Sequence, residues 1–491
     1  MGEIQKQFVK GTVFNYLGIA LGFLYVGILF PMLLTPEQIG LLSVLVAYAT
    51  IAAQFSSLGF NAVTTRLFPY FRNKEKGHNG FMMIGVSVQM VGFVLSSIIL
   101  LVLQYFQLLN SKGNPLFDHY FYMIFWLLFA MLFFNFFDNY YKVLYNAVIG
   151  TALKEFSQRL FIFVSIFFIY FHLVDFRTFT FLYAIAFSLP LIIIILLLIR
   201  RKEFFLSFPK KPIEKSLKKE MKAVALFSII SGFAGLLTLN IDRIMIQSFE
   251  GLGQTGVYTT MFFFGTLVSI PARSLIKISS AYVADAWKEN DVKQIDTILQ
   301  KSVLNQAIIG ILILVALWVN IDNILQILKP AYLTGKYVIL VIGGAYLIDM
   351  FTGVSNIVLG TSKYFKYSAY FIVLQFVLVV VFNLIFIPVY GILGAALGSL
   401  LAKLLFNLLK MGLLYRKLHF FPYSPKIFVP ILLGGIVYIT GYFMPALTNP
   451  YFDIVLKGGF VTVVFMSILY FLKISEDINT WINKVFRRFR V

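Results

Sequence analysis

The sequence predicts an all-α polytopic membrane protein with fourteen transmembrane helices. Three features indicate this fold class. The 491 residues are 60% hydrophobic and only 13% charged, whereas about a quarter of the residues in a typical soluble domain are charged. Apolar stretches of about 18 residues or more, long enough to cross a bilayer as a helix, recur from one end of the chain to the other. The segments between them are too short to form a soluble domain.

Each apolar stretch is interpreted as one transmembrane helix. The first is longer than the core of a signal peptide and has no small-residue cleavage site after it, so we expect it to remain in the protein. Because the number of helices is even, both termini are expected on the same side of the membrane. The predicted spans are residues 11–33, 39–63, 81–107, 120–147, 157–173, 179–199, 223–248, 256–280, 303–321, 337–360, 367–388, 390–415, 427–446 and 455–472.

Positive charge is distributed unevenly over the predicted loops. The net charge is +20, which in a soluble protein would suggest nucleic acid as a partner. With both termini in the cytoplasm, roughly 30 of the 41 Lys and Arg residues fall in inner segments, as the positive-inside rule requires. The positive charge is therefore expected to face anionic membrane lipid rather than nucleic acid. The outer segments hold Lys112, Arg177, Lys329, Lys336 and Lys457.

A basic, proline-containing segment divides the chain. We predict an N-lobe at residues 1–199 with helices one to six, followed by a cytoplasmic linker at 200–222 that starts a short amphipathic helix at Ile213. A C-lobe with helices seven to twelve is predicted at 223–415. Residues 416–491 are expected to hold the last two helices and a basic cytoplasmic tail.

Short segments in the two halves match each other. TPEQIGLLS (35–43) aligns with GLGQTGVYT (251–259), and each joins the first two helices of its half. Gln38 then aligns with Gln254, and Gly40 with Gly256, at an offset of 216 residues. Both halves start on the same side of the membrane, so the repeats are parallel, with a pseudo-two-fold axis along the membrane normal. Two such lobes facing each other would enclose a central cavity.

A second pair of segments supports the same repeat. YNAVIGT (145–151) aligns with SNIVLGT (355–361) at an offset of 210 residues. We place both segments at the cytoplasmic end of the fourth helix of their half. The matching residues are Asn146, Gly150 and Thr151 in the first segment and Asn356, Gly360 and Thr361 in the second.

Several kinds of site are disfavoured by the sequence. The chain has no cysteine, and its four histidines are scattered over predicted loops, so we predict neither a metal site nor a cofactor. GLGQTG (251–256) fits the dinucleotide fingerprint but joins two membrane helices, whereas that fingerprint needs a βαβ unit. Because a Walker-type motif is also missing, we expect no nucleotide. Transport would then be driven by an H⁺ or Na⁺ gradient or by the substrate gradient.

Five short motifs resemble the polysaccharide-transporter branch of the multidrug/oligosaccharidyl-lipid/polysaccharide (MOP) exporter superfamily. Their order and spacing extend over nearly the whole chain. They are FNYLGIALG (14–22), TPEQIG (35–40), NIDR (240–243), GVY (256–258) and NIVLGT (356–361).

The resemblance implies two six-helix lobes plus two C-terminal helices. It also implies that the protein flips an undecaprenyl-diphosphate-linked oligosaccharide, such as an O-antigen unit, from the cytoplasmic to the periplasmic leaflet. Such a substrate has an anionic diphosphate, a polar glycan and a polyprenyl tail. A transporter for it needs cations in a watery cavity, polar and aromatic walls, and a lateral opening for the tail.

An adjacent acid and base, Asp242 and Arg243, lie in the outer third of the predicted seventh helix. A charge in hydrocarbon costs about 2.5–3.5 kcal/mol on insertion scales, so each needs a partner or water. Adjacent helical residues point about 100° apart and do not pair as i,i+4 neighbours do. Either Asp242 bonds a neighbouring helix while Arg243 extends outward, or Arg243 contacts a substrate phosphate and Asp242 positions it.

Other charged residues are candidates for the inner end of the cavity. Arg273 and Lys277 are four residues apart on the eighth helix, and Arg66 lies at the cytoplasmic end of the second. They either anchor the helices at the lipid interface or bind the diphosphate, for which the planar guanidinium is well suited.

Charges are also predicted near the centres of two helices in the second half. Asp349 in the tenth and Lys403 in the twelfth need a partner or water at that depth. They either form a structural ion pair, or Asp349 takes part in ion coupling, for which Asp242 is a further candidate. Asp138 and Lys142 are predicted to form a local salt bridge on the fourth helix. The polar residues expected to line the cavity are Asn15, Tyr25, Gln54 and Asn61.

Two other functions are compatible with parts of this pattern. A cation-coupled multidrug or other lipid exporter would share the fold, but for cationic drugs it would need an acidic rather than a cationic cavity. A membrane polysaccharide polymerase or ligase would need a substantial outer loop and paired catalytic carboxylates, and neither is found. We therefore predict a transporter rather than an enzyme.

Overall fold

The described part of the chain consists of helices and the loops between them. The computed structural model describes residues 3–110, 113–144, 148–209 and 212–489. Within these ranges twelve helices are long and apolar enough to cross a membrane. The chain is therefore an all-α, multi-pass membrane protein, as the sequence predicts.

The predicted spans agree with these helices once two features are considered. Lys366–Leu418 carries both the eleventh and twelfth spans, because Gly391 (φ 55°, ψ −133°) interrupts the helical backbone between them. The fifth span falls on Gln158–Tyr170, which continues from the charged turn Ala152–Ser157. Within the described residues, all fourteen predicted spans thus fall on helices.

The chain folds as two compact units, residues 1–259 and 260–491. Their boundary lies inside the eighth helix, Leu252–Thr266. The lobe and linker boundaries at residues 199, 222 and 415 remain sequence-based predictions. The main helices of the first unit are Glu3–Gly22, Phe30–Leu33, Pro36–Ser56, Phe60–Leu67, Phe81–Tyr105, Met123–Val143, Gln158–Tyr170, Phe176–Arg200 and Lys215–Glu250.

The second unit continues the eighth helix and contains the remaining six spans. Lys457, predicted in an outer segment, is buried in the last span and pairs with Asp453 at 2.8 Å. Lys112 lies outside the described residues. The main helices of the unit are Ile270–Lys288, Val292–Val319, Ile321–Ile327, Lys336–Met350, Ser355–Thr361, Lys366–Leu418, Phe428–Tyr442, Pro450–Phe471 and Glu476–Phe489.

Two predicted helix boundaries in the first unit were wrong. The second span was expected to be unbroken over 39–63, but it ends at Ser56. Leu58 (φ 46°) and Gly59 (φ 71°) have left-handed backbone there, and a new helix starts at Phe60. The amphipathic helix expected from Ile213 is not separate, since Lys215–Glu250 is one helix that includes the seventh span.

The fifth span also starts earlier than predicted. Helical structure begins at Val148, so the segment assigned to an inner loop belongs to the span. Gly150 and Thr151 therefore start the fifth helix rather than ending the fourth, and Asn146 lies outside the described residues. In the second unit, Gly360 and Thr361 end a short separate helix, Ser355–Thr361.

The two copies of the first repeat motif pack directly against each other in the first unit. A Cβ atom on Gly40 would lie 2.0 Å from the carbonyl oxygen of Leu252, and one on Gly256 would lie 1.8 Å from that of Pro36. Leu252 aligns with Pro36 at the same offset of 216 residues that relates the two glycines. The contact is therefore reciprocal, and a local two-fold axis passes between the glycines.

The same symmetry relates a hydrogen-bonded pair one turn further along these helices. The Thr259 hydroxyl donates to the Ser43 hydroxyl at 3.1 Å, and these residues also align at an offset of 216. Only glycine allows two helices to approach so closely, which is a common packing mode between membrane helices. We call the contact among Gly40, Gly256, Ser43 and Thr259 the glycine seam.

The start of the linker is held against the loop between the second and third helices. The Glu203 carboxylate accepts hydrogen bonds from Lys74 Nζ at 2.6 Å and from Nε2 of the buried His78 at 2.8 Å. His78 Nδ1 accepts from the N–H of Asn73 at 3.2 Å, so Nε2 carries the ring proton. Partial burial raises the pKa of Glu203, but the hydrogen bonds from His78 and Lys74 lower it by more than burial raises it. The pKa of Glu203 is therefore below its ordinary value.

Candidate functional site

Asp242 and Arg243 have different partners in the structure. Asp242 is only 5% exposed and accepts a hydrogen bond from the buried Tyr258 hydroxyl of the eighth helix at 2.7 Å. Arg243 is half-buried, and its Nη1 donates to Asn240 Oδ1 of the same helix at 3.3 Å. Asp242 therefore joins the seventh and eighth helices, while Arg243 holds its guanidinium on a different side of the helix.

A second arginine enters the first unit from the fifth helix. Arg159 Nη2 donates to Glu155 Oε2 at 2.6 Å, and Nη1 donates to the backbone carbonyl of Gly18 at 2.8 Å. Both side chains of the pair keep a little over a quarter of their surface exposed. Arg159 thus links the fifth helix to the first, and its side chain remains partly exposed.

Two glycines of the first helix make this contact possible. A Cβ on Gly18 would lie 1.9 Å from the backbone oxygen of Glu155, and one on Gly22 would lie 2.9 Å from Arg159 Nη1. Gly18 and Gly22 are four residues apart and so lie on one face of the helix. The glycine pair in the FNYLGIALG motif therefore opens the first helix to the Glu155–Arg159 pair.

Tyr25 and Tyr183 lie near the two arginines. Tyr25 is close to the Glu155–Arg159 pair, and Tyr183 is close to Tyr25 and to Arg243. The rings also share a neighbour, Phe30, whose centroid is 5.2 Å from that of Tyr25 and 6.5 Å from that of Tyr183. We call Arg159, Tyr25, Tyr183 and Arg243 the arginine–tyrosine group.

These four residues lie at similar depths in the membrane. Counting along the helices from the ends on the predicted outer side, Tyr183 and Arg243 are about 10 Å deep, Tyr25 about 12 Å and Arg159 about 17 Å, at 1.5 Å per residue. Four helices thus place two guanidiniums and two phenols in one layer, roughly a third to halfway across a 30 Å hydrocarbon core.

Two π-helical segments accompany this group. Tyr25 lies in Phe23–Leu29, and Glu155 lies in Ala152–Ser157, next to Arg159. The π-helix is rare and occurs mostly as single turns inside α-helices, often at functional sites. Here both segments adjoin the contact between the first and fifth helices, where they change the direction in which these side chains point.

The other polar residues predicted in the first two helices are more dispersed. Asn15 is half-buried on the first helix. The Gln54 amide nitrogen lies 2.5 Å from where a Cβ on Gly232 would be, so it packs against the seventh helix. The Asn61 side-chain oxygen is buried without a hydrogen-bond partner in the described structure. Arg66 is exposed on Phe60–Leu67, beyond the break in the second helix.

In the second unit, the predicted inner cations lie on Ile270–Lys288. Arg273 and Lys277 are one turn apart and both exposed. This arrangement agrees equally with lipid anchoring and with contact to an anionic substrate.

Asp349 and Lys403 form an ion pair in the second unit. The Asn407 amide nitrogen donates to the other Asp349 carboxylate oxygen at 2.7 Å. Lys403 Nζ also lies 4.2 Å from the centre of the Tyr346 ring, a cation–π distance. The tenth and twelfth helices are therefore held together by a partly buried polar network.

Lys410 extends this network deeper into the protein. It is 1% exposed, and its ammonium donates to Asn407 Oδ1 at 2.7 Å, to Asn356 Oδ1 at 2.9 Å and to Thr352 Oγ1 at 3.3 Å. A largely apolar cavity of about 590 Å³ adjoins Thr352 and Asn407. In the described residues, no group of three or more His, Asp or Glu side chains could hold a metal ion.

Four residues of these clusters were not predicted as site residues: Arg159, Glu155, Tyr183 and Lys410. Glu155 was placed in an inner loop and Arg159 at the inner end of the fifth span, although their i,i+4 spacing is that of a helical ion pair. Gly18 and Gly22 gave a second signal, because two small residues four apart mark a close helix contact. The salt bridge predicted between Asp138 and Lys142 is present.

Comparison with known proteins now adds to this geometry. The family described as polysaccharide biosynthesis protein matches residues 8–283. The chain belongs to this family. Its fold is also that of solved MOP superfamily transporters, as the resemblance of its motifs implies. No curated protein matches the chain.

Solved structures share the fold of this family member at low sequence identity. The lipid II flippase MurJ, in an inward closed conformation, superimposes with a TM-score of 0.72 at 12% identity, covering 94% of this chain and 99% of that one. An inward-facing multidrug resistance MATE family transporter of the MOP superfamily gives 0.64 at 14% identity, with 87% and 96% covered. A MOP superfamily transporter from Pyrococcus furiosus gives 0.51 at 13% identity, with 85% and 96% covered.

Proposed function

We propose that this protein is a flippase that moves an undecaprenyl-diphosphate-linked oligosaccharide from the cytoplasmic to the periplasmic leaflet of a bacterial inner membrane. The glycan would be an O-antigen or another surface polysaccharide unit, and transport would proceed by alternating access. The observation that carries this proposal is the layer of two guanidiniums and two tyrosines inside the membrane of a polysaccharide biosynthesis protein.

The chemistry of this layer suits the headgroup of such a lipid. Guanidinium and phosphate form strong, frequently bidentate hydrogen bonds. Tyrosine offers a hydroxyl donor for phosphate or sugar oxygens and a ring face for the sugar. The two guanidiniums of the group also attract an anionic substrate more strongly than a cationic drug.

Cations elsewhere have a place in the same proposal. Arg273, Lys277 and Arg66 would receive the diphosphate on the cytoplasmic side, before it reaches Arg243. Asp349 and Lys403 would take part in coupling to H⁺ or Na⁺, or would simply hold the tenth helix against the twelfth. Anionic membrane lipids would contact the basic cytoplasmic segments.

The glycine seam supplies a candidate for the movement that alternating access needs. It lies at the predicted outer end of the first unit, where the second, seventh and eighth helices meet. In the proposal, separating Gly40 from Gly256 opens a path from the arginine–tyrosine group to the outer leaflet.

The proposal is tested in proteoliposomes that contain an undecaprenyl-diphosphate-linked oligosaccharide with a fluorescent glycan. A membrane-impermeant quencher measures how much of the glycan lies in the outer leaflet over time. We expect wild-type protein to re-equilibrate the two leaflets and the Arg243→Ala protein to do so at least about tenfold more slowly. Wild-type vesicles that behave as protein-free vesicles would contradict the proposal.

A further inference from the structure

We propose that Arg159 is a second phosphate-binding residue, which acts together with Arg243 and is held by Glu155 and the Gly18 carbonyl while the site is empty. This inference rests on the proposed function. It adds Arg159 as a residue that binds the ligand, and Glu155 as the carboxylate that competes with the ligand for Arg159. The ligand is the phosphate-bearing headgroup of an amphiphile, and a diphosphate fits better than a monophosphate.

Arg159 retains the capacity to bind an anion. A guanidinium has five N–H donors, and the bonds to Glu155 and Gly18 use two of them. The side chain is 28% exposed, although it lies about 17 Å from the predicted outer end of the fifth helix at 1.5 Å per residue. A charge at that depth is costly and usually marks a functional position.

Glu155 occupies the place that a phosphate oxygen would take. Its carboxylate is bound to Arg159 Nη2 at 2.6 Å and is itself 27% exposed. An incoming phosphate keeps the Arg159 guanidinium paired, so that this cation is not left without a partner. The displaced Glu155 carboxylate is then hydrated, which its 27% exposure allows. Glu155 would then turn away, while the bond to Gly18 keeps Arg159 in position.

The surrounding residues explain why two phosphates fit better than one. Tyr25 and Tyr183 share Phe30 as a neighbour, with ring centroids 5.2 Å and 6.5 Å from its own, so both phenols lie in the region of the two arginines. The helix positions place the two arginines about 6 Å apart in depth at 1.5 Å per residue. A diphosphate could bind a guanidinium with each phosphoryl group and accept from the tyrosine hydroxyls.

The local backbone is built to present Arg159 in this direction. Gly18 and Gly22 leave no Cβ between the first helix and the pair. The π-helical turn Ala152–Ser157 directly precedes Gln158–Tyr170 and includes Glu155. A π turn shifts the side chains after it relative to an unbroken α-helix. The first helix, through its two glycines, and the fifth helix, through its π-helical turn, thus depart from regular packing where Arg159 lies.

The test is equilibrium binding of undecaprenyl diphosphate and undecaprenyl monophosphate to the purified full-length protein in detergent, measured by native mass spectrometry. We expect Arg159→Ala to weaken binding of the diphosphate by about tenfold or more, with a smaller effect on the monophosphate. Arg159→Lys should lie between it and the wild type, because lysine keeps the charge but not the planar fork. Arg177→Ala, on an exposed arginine at the start of the sixth helix, is the matched control.

Glu155→Gln separates a binding role from a bracing role. If Glu155 competes with the ligand, its neutralisation should tighten diphosphate binding several-fold. If the pair only braces the first helix, Glu155→Gln should lower the melting temperature and leave binding unchanged or weaker, which would overturn the inference. Should Arg159→Ala fail to fold, Arg159→Lys and Glu155→Gln decide the matter, because both retain hydrogen-bonding side chains.

The outcomes also distinguish this inference from the proposed function. If Arg243→Ala abolishes diphosphate binding while Arg159→Ala and Glu155→Gln match the wild type, the inference fails and the flippase proposal stands. If the wild-type protein does not bind undecaprenyl diphosphate at all, the proposed function itself fails.

Discussion

At the residue scale, the adjacent pair Asp242 and Arg243 shows how one short sequence serves two purposes. The buried Asp242 joins two helices through Tyr258, so its carboxylate is part of the protein packing. Arg243 is bonded to Asn240 of its own helix and lies near Tyr183, so its environment belongs to the arginine–tyrosine group. The two roles predict different mutational effects.

We expect Arg243→Ala to abolish transport while leaving the amount of protein in the membrane unchanged. Arg243→Lys should recover only part of the activity, since lysine lacks the planar fork that engages two phosphate oxygens. Membrane abundance and leaflet exchange, measured on the same preparations, test this. If the Arg243→Ala protein is present at normal abundance and transports at the wild-type rate, the charge of Arg243 has no role in transport.

Asp242→Asn should be milder than Arg243→Ala in transport. An amide oxygen can still accept the hydrogen bond from Tyr258, and losing one charge-assisted bond costs about 1–3 kcal/mol at most. Asp242→Leu removes the acceptor and should lower the melting temperature more strongly. Equal losses of abundance for Asp242→Asn and Arg243→Ala would instead indicate that the two residues form one structural unit.

At the element scale, the glycine seam joins two helices that the internal repeat relates to each other. Ser43 and Thr259 meet in it with their hydroxyl oxygens 3.1 Å apart. The natural chain contains no cysteine, so a pair introduced there is the sole thiol pair in the protein. A disulfide between these two positions therefore tests whether the glycine seam opens during transport.

We expect the double variant Ser43→Cys with Thr259→Cys to form a disulfide on mild oxidation, because the short separation of the side chains suits its geometry. Transport should stop on oxidation and return on reduction, while each single variant stays active. Full activity of the oxidised, cross-linked protein, verified by mass spectrometry, would show that the seam does not open during transport.

The linker is the element that best tests the predicted topology. Ser207 is exposed and lies in the part of the linker next to Gly77. We expect Ser207→Cys to react with a membrane-impermeant thiol reagent only after the inner membrane is opened. Reaction in intact spheroplasts would place the linker outside and reverse the direction assigned to transport.

The clamp between His78, Lys74 and Glu203 predicts a pH dependence. The pKa of Glu203 is lower in the folded protein than its ordinary value of 4.5, so the clamp stabilises the fold above that value. The stabilisation is lost as the pH falls through the folded pKa. The difference in melting temperature between wild type and Glu203→Gln should therefore shrink from pH 7 to pH 4, and a difference that stays constant would contradict the prediction.

At the scale of the whole molecule, the sequence predicts the architecture better than the site. Apolar length alone places all fourteen spans on helices, because a bilayer requires about 20 apolar residues per helix. The repeat is recoverable from Gly40 and Gly256, since close helix contacts restrict those positions to glycine. The structure adds that these two glycines touch each other, which an alignment cannot show.

The site was less predictable because its key residues violate the composition rules of a membrane span. Lys154 and Glu155 lower the hydropathy at the start of the fifth helix, so its start was predicted at residue 157 rather than at Val148. The cost of the Glu155 and Arg159 charges is offset by contacts to Gly18 and to each other, which depend on the fold. Lys410 was recognised as lying in a span, but its site was not predictable because its oxygen partners come from residues up to 58 positions away in the sequence.

The central claim is that this polysaccharide biosynthesis protein moves a lipid-linked oligosaccharide out of the cytoplasmic leaflet. It is tested most directly by depleting the protein in its host and extracting the undecaprenyl-diphosphate-linked intermediates. The account predicts that a complete oligosaccharide unit accumulates and resists an added glycosidase in intact spheroplasts but not in lysed ones. Unchanged levels of every such intermediate, or an accumulated unit that is cleaved in intact spheroplasts, would contradict it.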